Sequence, residues 1–190
     1  MSGFSDRGLA SFGEAMRGVV DDGTVPGVVT VLARGADVHL DAYGVADVAT
    51  GAALGEDALF RIQSMTKPVL AAATMQLVER GGLALDSPVE RWLPELANRV
   101  VLRTPGSGLD DVVPAKRPIT VEDLLTCRCG YGAVFAGPDD PIARAMRGRG
   151  LEPGPQPRLE PSEAWLARLA ELPLIHQPGE GWRYHTSFDI

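Results

Sequence analysis

The chain has 190 residues, 45% of them hydrophobic, and a net charge of −7. Length and composition suit one domain with a substantial core and exclude a disordered chain. The acidic balance, with its arginines dispersed, excludes nucleic acid as a partner.

Leu9, Phe12, Met16 and Val19 recur at spacings of three, four and three, which predicts an amphipathic first helix over residues 5–21. After the breaker DDGTVPG, VVTVLARG and ADVHLDAYG alternate around Gly35 and predict an antiparallel hairpin. DVATGAALG reads as a second turn, and ALFRIQ, residues 58–63, as a short third strand leading to Ser64. From Met65 to Arg80 a helix is expected that is apolar nearly all round and therefore buried on most sides, with Gly81 and Gly82 ending it. LALDSPVERWLPEL reads as a loop and a short helix stopped at Pro94, and RTPGSGLDDVVPAKRP as a surface loop. ITVEDLLTC predicts a helix capped by Thr120, with Asp123 three residues on. Residues 132–160 are dense in Gly and Pro and read as irregular, with helical turns around PIARAMRG. PSEAWLARLAEL is helical from Pro161, with Trp165, Leu166, Leu169 and Leu172 on one face.

Cys127 and Cys129 have no accompanying Cys or His cluster at zinc spacing. They read as two reduced thiols at a helix end, so no metal is expected. No cofactor motif is present either. The N-terminus lacks the marks of a secretion signal, and no stretch approaches ~18 consecutive apolar residues. The expectation is a cytoplasmic chain with no membrane partner.

Only two lysines stand against sixteen arginines, and one of them, Lys67, follows Ser64 at a spacing of three. On a helix the two face the same way. A serine hydroxyl needs a base to become a nucleophile. A buried lysine at the positive end of a helix can be that base, because burial and the dipole both disfavour its charge. A backbone N–H at the helix start can stabilise the oxyanion formed by attack on a carbonyl. Spacing alone leaves a second reading open, a capping serine beside a lysine whose stem is buried and whose amine reaches water. The histidines offer no rival triad. His39 alternates along a strand, His176 lies in a turn, and His185 adjoins Tyr184, where sequence neighbours point apart. There is no G-x-S-x-G elbow.

The stretch FRIQSMTKPVLAAATMQLVERGGLALDSPVERWLPEL resembles the nucleophile region of the serine β-lactamase and penicillin-binding-protein superfamily, closest to its class C-like branch and the related family VIII carboxylesterases. RPITVEDLLTCRCGYG resembles that branch's P-I-T and L-L-T block, and PGEGWRYHTSFDI its P-G-x-x-W/F-x-Y-S block. The resemblance implies an α+β, β-lactamase/transpeptidase-like fold: an antiparallel sheet flanked by helices, plus a helical lobe. It implies Ser64 as the acylated nucleophile, Lys67 as its activating partner, and Tyr184 as the acylation base and leaving-group acid. Thr186 stands where class C enzymes carry an asparagine that contacts a substrate amide, which makes it the substrate-binding expectation. Where many relatives read H-T-S-G this chain has Cys127, Arg128, Cys129 and Gly130, taken as a structural turn. Asp189 is expected to support the tyrosine loop.

The superfamily's third motif, a K-T-G or H-x-G strand, lies far beyond the tyrosine, and this sequence stops at Ile190. The expectation is therefore the N-terminal part of a single hydrolase domain over residues 1–190. Helix and sheet strands occupy 1–63 and a mainly helical lobe 64–190. The sheet is incomplete, and the missing C-terminal half is a conceivable partner chain. The expected activity is hydrolysis of small or medium acyl esters through an acyl-enzyme. β-Lactamase or D-amino-acid peptidase activity with the same residues is one alternative, and a truncated or non-catalytic homologue that only binds or assembles is another. The substrate is a small-molecule ester or amide in either catalytic case.

Overall fold

A computed structural model describes residues 3–134, 137, 139–152, 154 and 159–190. The chain divides into two compact units, Met1–Arg61 and Ile62–Ile190.

In the first unit, helix α1 (Asp6–Asp21) is capped by the Ser5 side chain, which accepts from the Gly8 N–H. Strands β1 (Gly27–Arg34) and β2 (Asp37–Asp47) pair antiparallel around Gly35, as their alternation predicts. Val31 sits opposite Leu40, and Ala33 opposite Val38. α1 packs on the face that carries Asp41 and Tyr43: Arg17 pairs with Asp41 at 2.8 Å, and the Tyr43 hydroxyl donates to Asp21 at 2.9 Å. Side chains alternate across a strand, so Val31, Val38 and Leu40 fall on the other face, where they are exposed. Gly44 has φ 93°, and a Cβ there would collide with the Pro26 carbonyl, so only glycine fits this crossing of the strands.

Residues 58–62 form no strand, contrary to expectation. The third strand is β3 (Ala52–Ala53), antiparallel to β2. Asp47 causes this locally. Its carboxylate accepts from the N–H groups of Ala49 and Thr50 at 2.7 and 3.3 Å, closing a turn that returns the chain onto β2's free edge.

In the second unit, helix α2 (Thr66–Glu79) ends where the Gly82 N–H bonds to the Leu77 carbonyl and Gly81 takes φ 73°. The expected burial of this helix is not found. None of its residues is buried, and Val69 and Leu77 are 64% and 48% exposed. Its sequence is apolar all round, yet nothing among the described residues of this unit encloses it.

The hydrophobic core lies beyond α2. Strand β4 (Val100–Leu102) pairs with β5 (Val112–Pro114), so the stretch 103–118, expected to be a surface loop, holds the turn and second strand of a hairpin. The Leu102 N–H donates to Leu174 and the Leu174 N–H to Val100, both at 2.8 Å, so a third segment joins this ladder. Helix α3 (Val121–Leu125) has the predicted capping box: Thr120 accepts from the Asp123 N–H, and Asp123 accepts from the Thr120 N–H. Helix α4 (Pro141–Gly148) and helix α5 (Ser162–Ala170) close the core, and Trp165, Leu166, Leu169 and Leu172 are all buried as their spacing requires. The fold is α+β, with two small antiparallel sheets among the described residues. No helix among the described residues is long and apolar enough to cross a membrane.

Candidate active site

Ser64 sits in a 3-10 turn, Gln63–Met65, that runs directly into α2. Gln63, just before it, has φ 46°, a left-handed conformation that a non-glycine residue adopts at a cost. Lys67 follows one turn on, and its Nζ donates to Ser64 Oγ at 3.2 Å. Pro68 is accommodated because it falls in the first turn of the helix. Ser64 and Lys67 are half-buried, so the expectation of a buried lysine is corrected. The flanking Met65 and Val69 are both exposed.

Tyr184 reaches the same amine from the far end of the sequence. Its ring centroid is 5.1 Å from Lys67 Nζ, and that of Phe188 is 6.0 Å away. Among the described residues, the contact between Lys67 and Tyr184 is to the ring face, with no hydrogen bond to the phenol oxygen. Trp182 stacks on Tyr184 with centroids 6.1 Å apart. Tyr184 itself is 38% exposed.

The segment 127–133 holds the tyrosine in place. The Arg183 N–H donates to the Cys127 carbonyl at 2.9 Å, and the Ala133 N–H to the Tyr184 carbonyl at 2.8 Å. Cys129 Sγ lies 3.1 Å from Ser187 Oγ, inside the core. Gly132 backs directly onto Arg183, where a Cβ would overlap the arginine's own Cβ. The two cysteines are free thiols. Burial raises both, Cys129 to about 11, and outweighs the lowering by the Ser187 hydroxyl and, at Cys127, by the His185 N–H. Such thiols stay protonated and inert at neutral pH and serve as packing and hydrogen-bonding groups. The turn after L-L-T, read from sequence as structural, is the seat of the tyrosine.

Asp123 anchors the seat from below. Its carboxylate takes both arms of Arg117, at 2.5 and 2.8 Å, together with the Thr120 N–H at 2.9 Å. Burial pushes this carboxyl up, but Arg117 and Thr120 outweigh burial and leave it below the usual carboxylate range.

Thr186, expected at the substrate, is 2% exposed and packs into the core behind the tyrosine. His185 overturns the expectation that it points away from Tyr184. Its φ of 91° swings the ring back, so the two rings meet edge-on at 6.1 Å and line one pocket. That pocket measures about 340 Å³ and is otherwise walled by Ala133, Val134, Ala143, Met146 and Glu152. Asp189, expected to support the loop, places Oδ2 2.9 Å from His185 Nδ1. Sequence reasoning passed over His185 because a positive φ cannot be read from a histidine. The signal was its place at the serine of the P-G-x-x-W/F-x-Y-S block that this segment resembles. Among the described residues no cluster could hold a metal ion.

The sequence model of the Beta-lactamase family matches residues 12–187. The chain belongs to that family. It is 36% identical over 183 residues to the esterase EstB of Burkholderia gladioli, covering 95% of this chain and 42% of that protein. It is 33% identical over 178 residues to the lovastatin esterase of Penicillium rubens, covering 90% of this chain and 42% of that protein. Among solved structures it superposes on EstCE1, a hydrolase with promiscuous acyltransferase activity, with a TM-score of 0.76 and 27% identity, covering 95% of this chain and 44% of that one. The chain thus spans less than half the length of these relatives.

Proposed function

We propose that the chain is the N-terminal part of a single serine hydrolase domain that acts through an acyl-enzyme on small or medium acyl esters. The observation that carries this reading is the 3.2 Å contact of Lys67 Nζ with Ser64 Oγ at the head of α2. Ser64 is the nucleophile. Lys67 touches the hydroxyl and takes part in removing its proton. Tyr184, whose ring lies over the same amine, is the acid that delivers a proton to the leaving alcohol oxygen once its hydroxyl turns toward Ser64. Attack of Oγ on the ester carbonyl forms the acyl–serine bond and releases the alcohol, and water then releases the acid. The esterase names of EstB and lovastatin esterase support an ester substrate over a β-lactam. Thr186 is left out of the substrate contact because its side chain is shut inside the core.

The test is covalent labelling with a fluorophosphonate probe, followed by mass spectrometry of the labelled peptide. The expected result is one adduct on Ser64, abolished in Ser64→Ala. Absence of any adduct would favour a homologue that only binds or assembles.

A further inference from the structure

We propose that His185 is a substrate-recognition residue, whose Nε2 edge accepts a hydrogen bond from a hydroxyl or N–H on the aliphatic part of the substrate. The word substrate rests on the hydrolase reading above; the binding claim does not.

Three observations converge on His185. First, its backbone sits at φ 91°, ψ −80°, where a bulky side chain costs stability, and such outliers persist only where the surroundings enforce them. The consequence is that consecutive rings, Tyr184 and His185, line the same 340 Å³ pocket. Second, the ring is oriented. Nδ1 is shielded from solvent and lies 2.9 Å from Asp189 Oδ2, in a contact bent away from hydrogen-bond alignment. The side chain as a whole keeps 26% exposure, and of its two nitrogens only Nδ1 is shielded and unpartnered. Nε2 is the acceptor of the tautomer that carries its proton on Nδ1, the nitrogen beside the carboxylate. Third, the remaining walls define what fits. Ala133, Val134, Ala143 and Met146 are aliphatic, and the carboxylate of Glu152, 3.3 Å from Arg147, is also an acceptor. The pocket is at the small end of the range for small-molecule sites. A short aliphatic group ending in a hydrogen-bond donor matches it in size and polarity.

The experiment uses the full chain carrying Ser64→Ala, so that no turnover intervenes, with side-chain 15N-histidine NMR at pH 8. Methyl 3-hydroxybutyrate and methyl butyrate are the two probes. The expected result is a shift of the His185 Nε2 resonance with the hydroxy ester alone, and binding about tenfold tighter than for methyl butyrate, the net worth of one such hydrogen bond. His185→Phe keeps the ring's bulk and should bring the two esters within about twofold of each other. His185→Gln, which restores an acceptor, should recover part of the preference. Equal binding of the two esters, an unmoved Nε2 resonance, or an equal loss of both esters in His185→Phe would each overturn the proposal. If His185→Phe does not fold, the resonance shift alone decides. Ser64 labelling without ester preference would sink this proposal and spare the hydrolase reading. Ester preference without labelling would do the reverse.

Discussion

Ser64 stands at the head of a helix with no buried residue, whereas Tyr184 stands in an irregular segment tied into a closed core. The helix supplies its geometry by itself. Once residues 64–67 are helical, hydroxyl and amine must face each other, and local hydrogen bonds suffice. The tyrosine has no such repeat to rely on. Its position is assembled from backbone bonds to Cys127 and Ala133, a thiol–hydroxyl contact and the Arg117–Asp123 pair beneath. The difference teaches where each half of the proposed chemistry is vulnerable. Damage to the helix side should change reactivity with little change in stability, and damage to the tyrosine side should lower stability first and reactivity only through the tyrosine's position.

Lys67→Met gives the largest effect expected and tests the first half of that statement. It keeps the stem and removes the amine that bonds to Ser64. The rate of fluorophosphonate labelling should fall about 10³-fold, the middle of the range for loss of a general base. Urea stability should move by no more than about 0.5 kcal/mol, because the lysine is half-buried and its loss strands no core group. Labelling that proceeds at the original rate would detach Lys67 from the chemistry.

Asp123→Ala tests the other half. It strips Arg117 of its buried partner and α3 of its capping box. A loss of about 3 kcal/mol in the second unit is expected at pH 7, the low end for breaking a buried pair because Arg117 is itself partly exposed. The pH dependence has a definite sign. The folded carboxyl lies below its ordinary value, so its contribution is complete above about pH 4, the unfolded value, and is lost as pH falls through the lower folded one. Urea midpoints measured at pH 7 and pH 3 should therefore differ less in Asp123→Ala than in the parent. An equal difference in both proteins would remove Asp123 from the acid response.

Much of this arrangement was legible in the sequence where its causes are local. The stripe of α1, the hairpin around Gly35, the capping box of Thr120 and Asp123, and the apolar face of α5 all follow from spacing and caps within a few residues. The approach of Ser64 to Lys67 is of the same kind. What escaped depends on distant partners or on backbone that residue type does not announce. β4 and β5 are three residues each and acquire meaning only when they meet each other and Leu174. ALFRIQ looks like a strand, but Asp47 returns Ala52–Ala53 to the edge it would have needed. The turn of His185 toward Tyr184 comes from a φ that histidine rarely adopts. Tyr184 itself was found through resemblance, since no local pattern links it to a serine 120 positions earlier.

Cys129 gives the finest test of the comparison, because it is replaced here by the gentlest means. The H-T-S-G block that this turn is compared with has serine at this place, and Cys129 is fully buried, with Sγ 3.1 Å from the Ser187 hydroxyl. Cys129→Ala leaves that hydroxyl without its partner in the core, which costs about 1–2 kcal/mol. Cys129→Ser keeps a partner and should sit closer to the parent, losing mainly the volume and polarisability of sulfur. If the contact matters because it seats the tyrosine, the alanine variant should also slow labelling a few-fold, and the serine variant should restore the rate more fully than it restores stability. If instead the two variants lose rate and stability in step, the thiol is only a piece of core packing. The tyrosine would then be held by its backbone bonds alone, and the contrast between the two sides of the site would rest on Asp123.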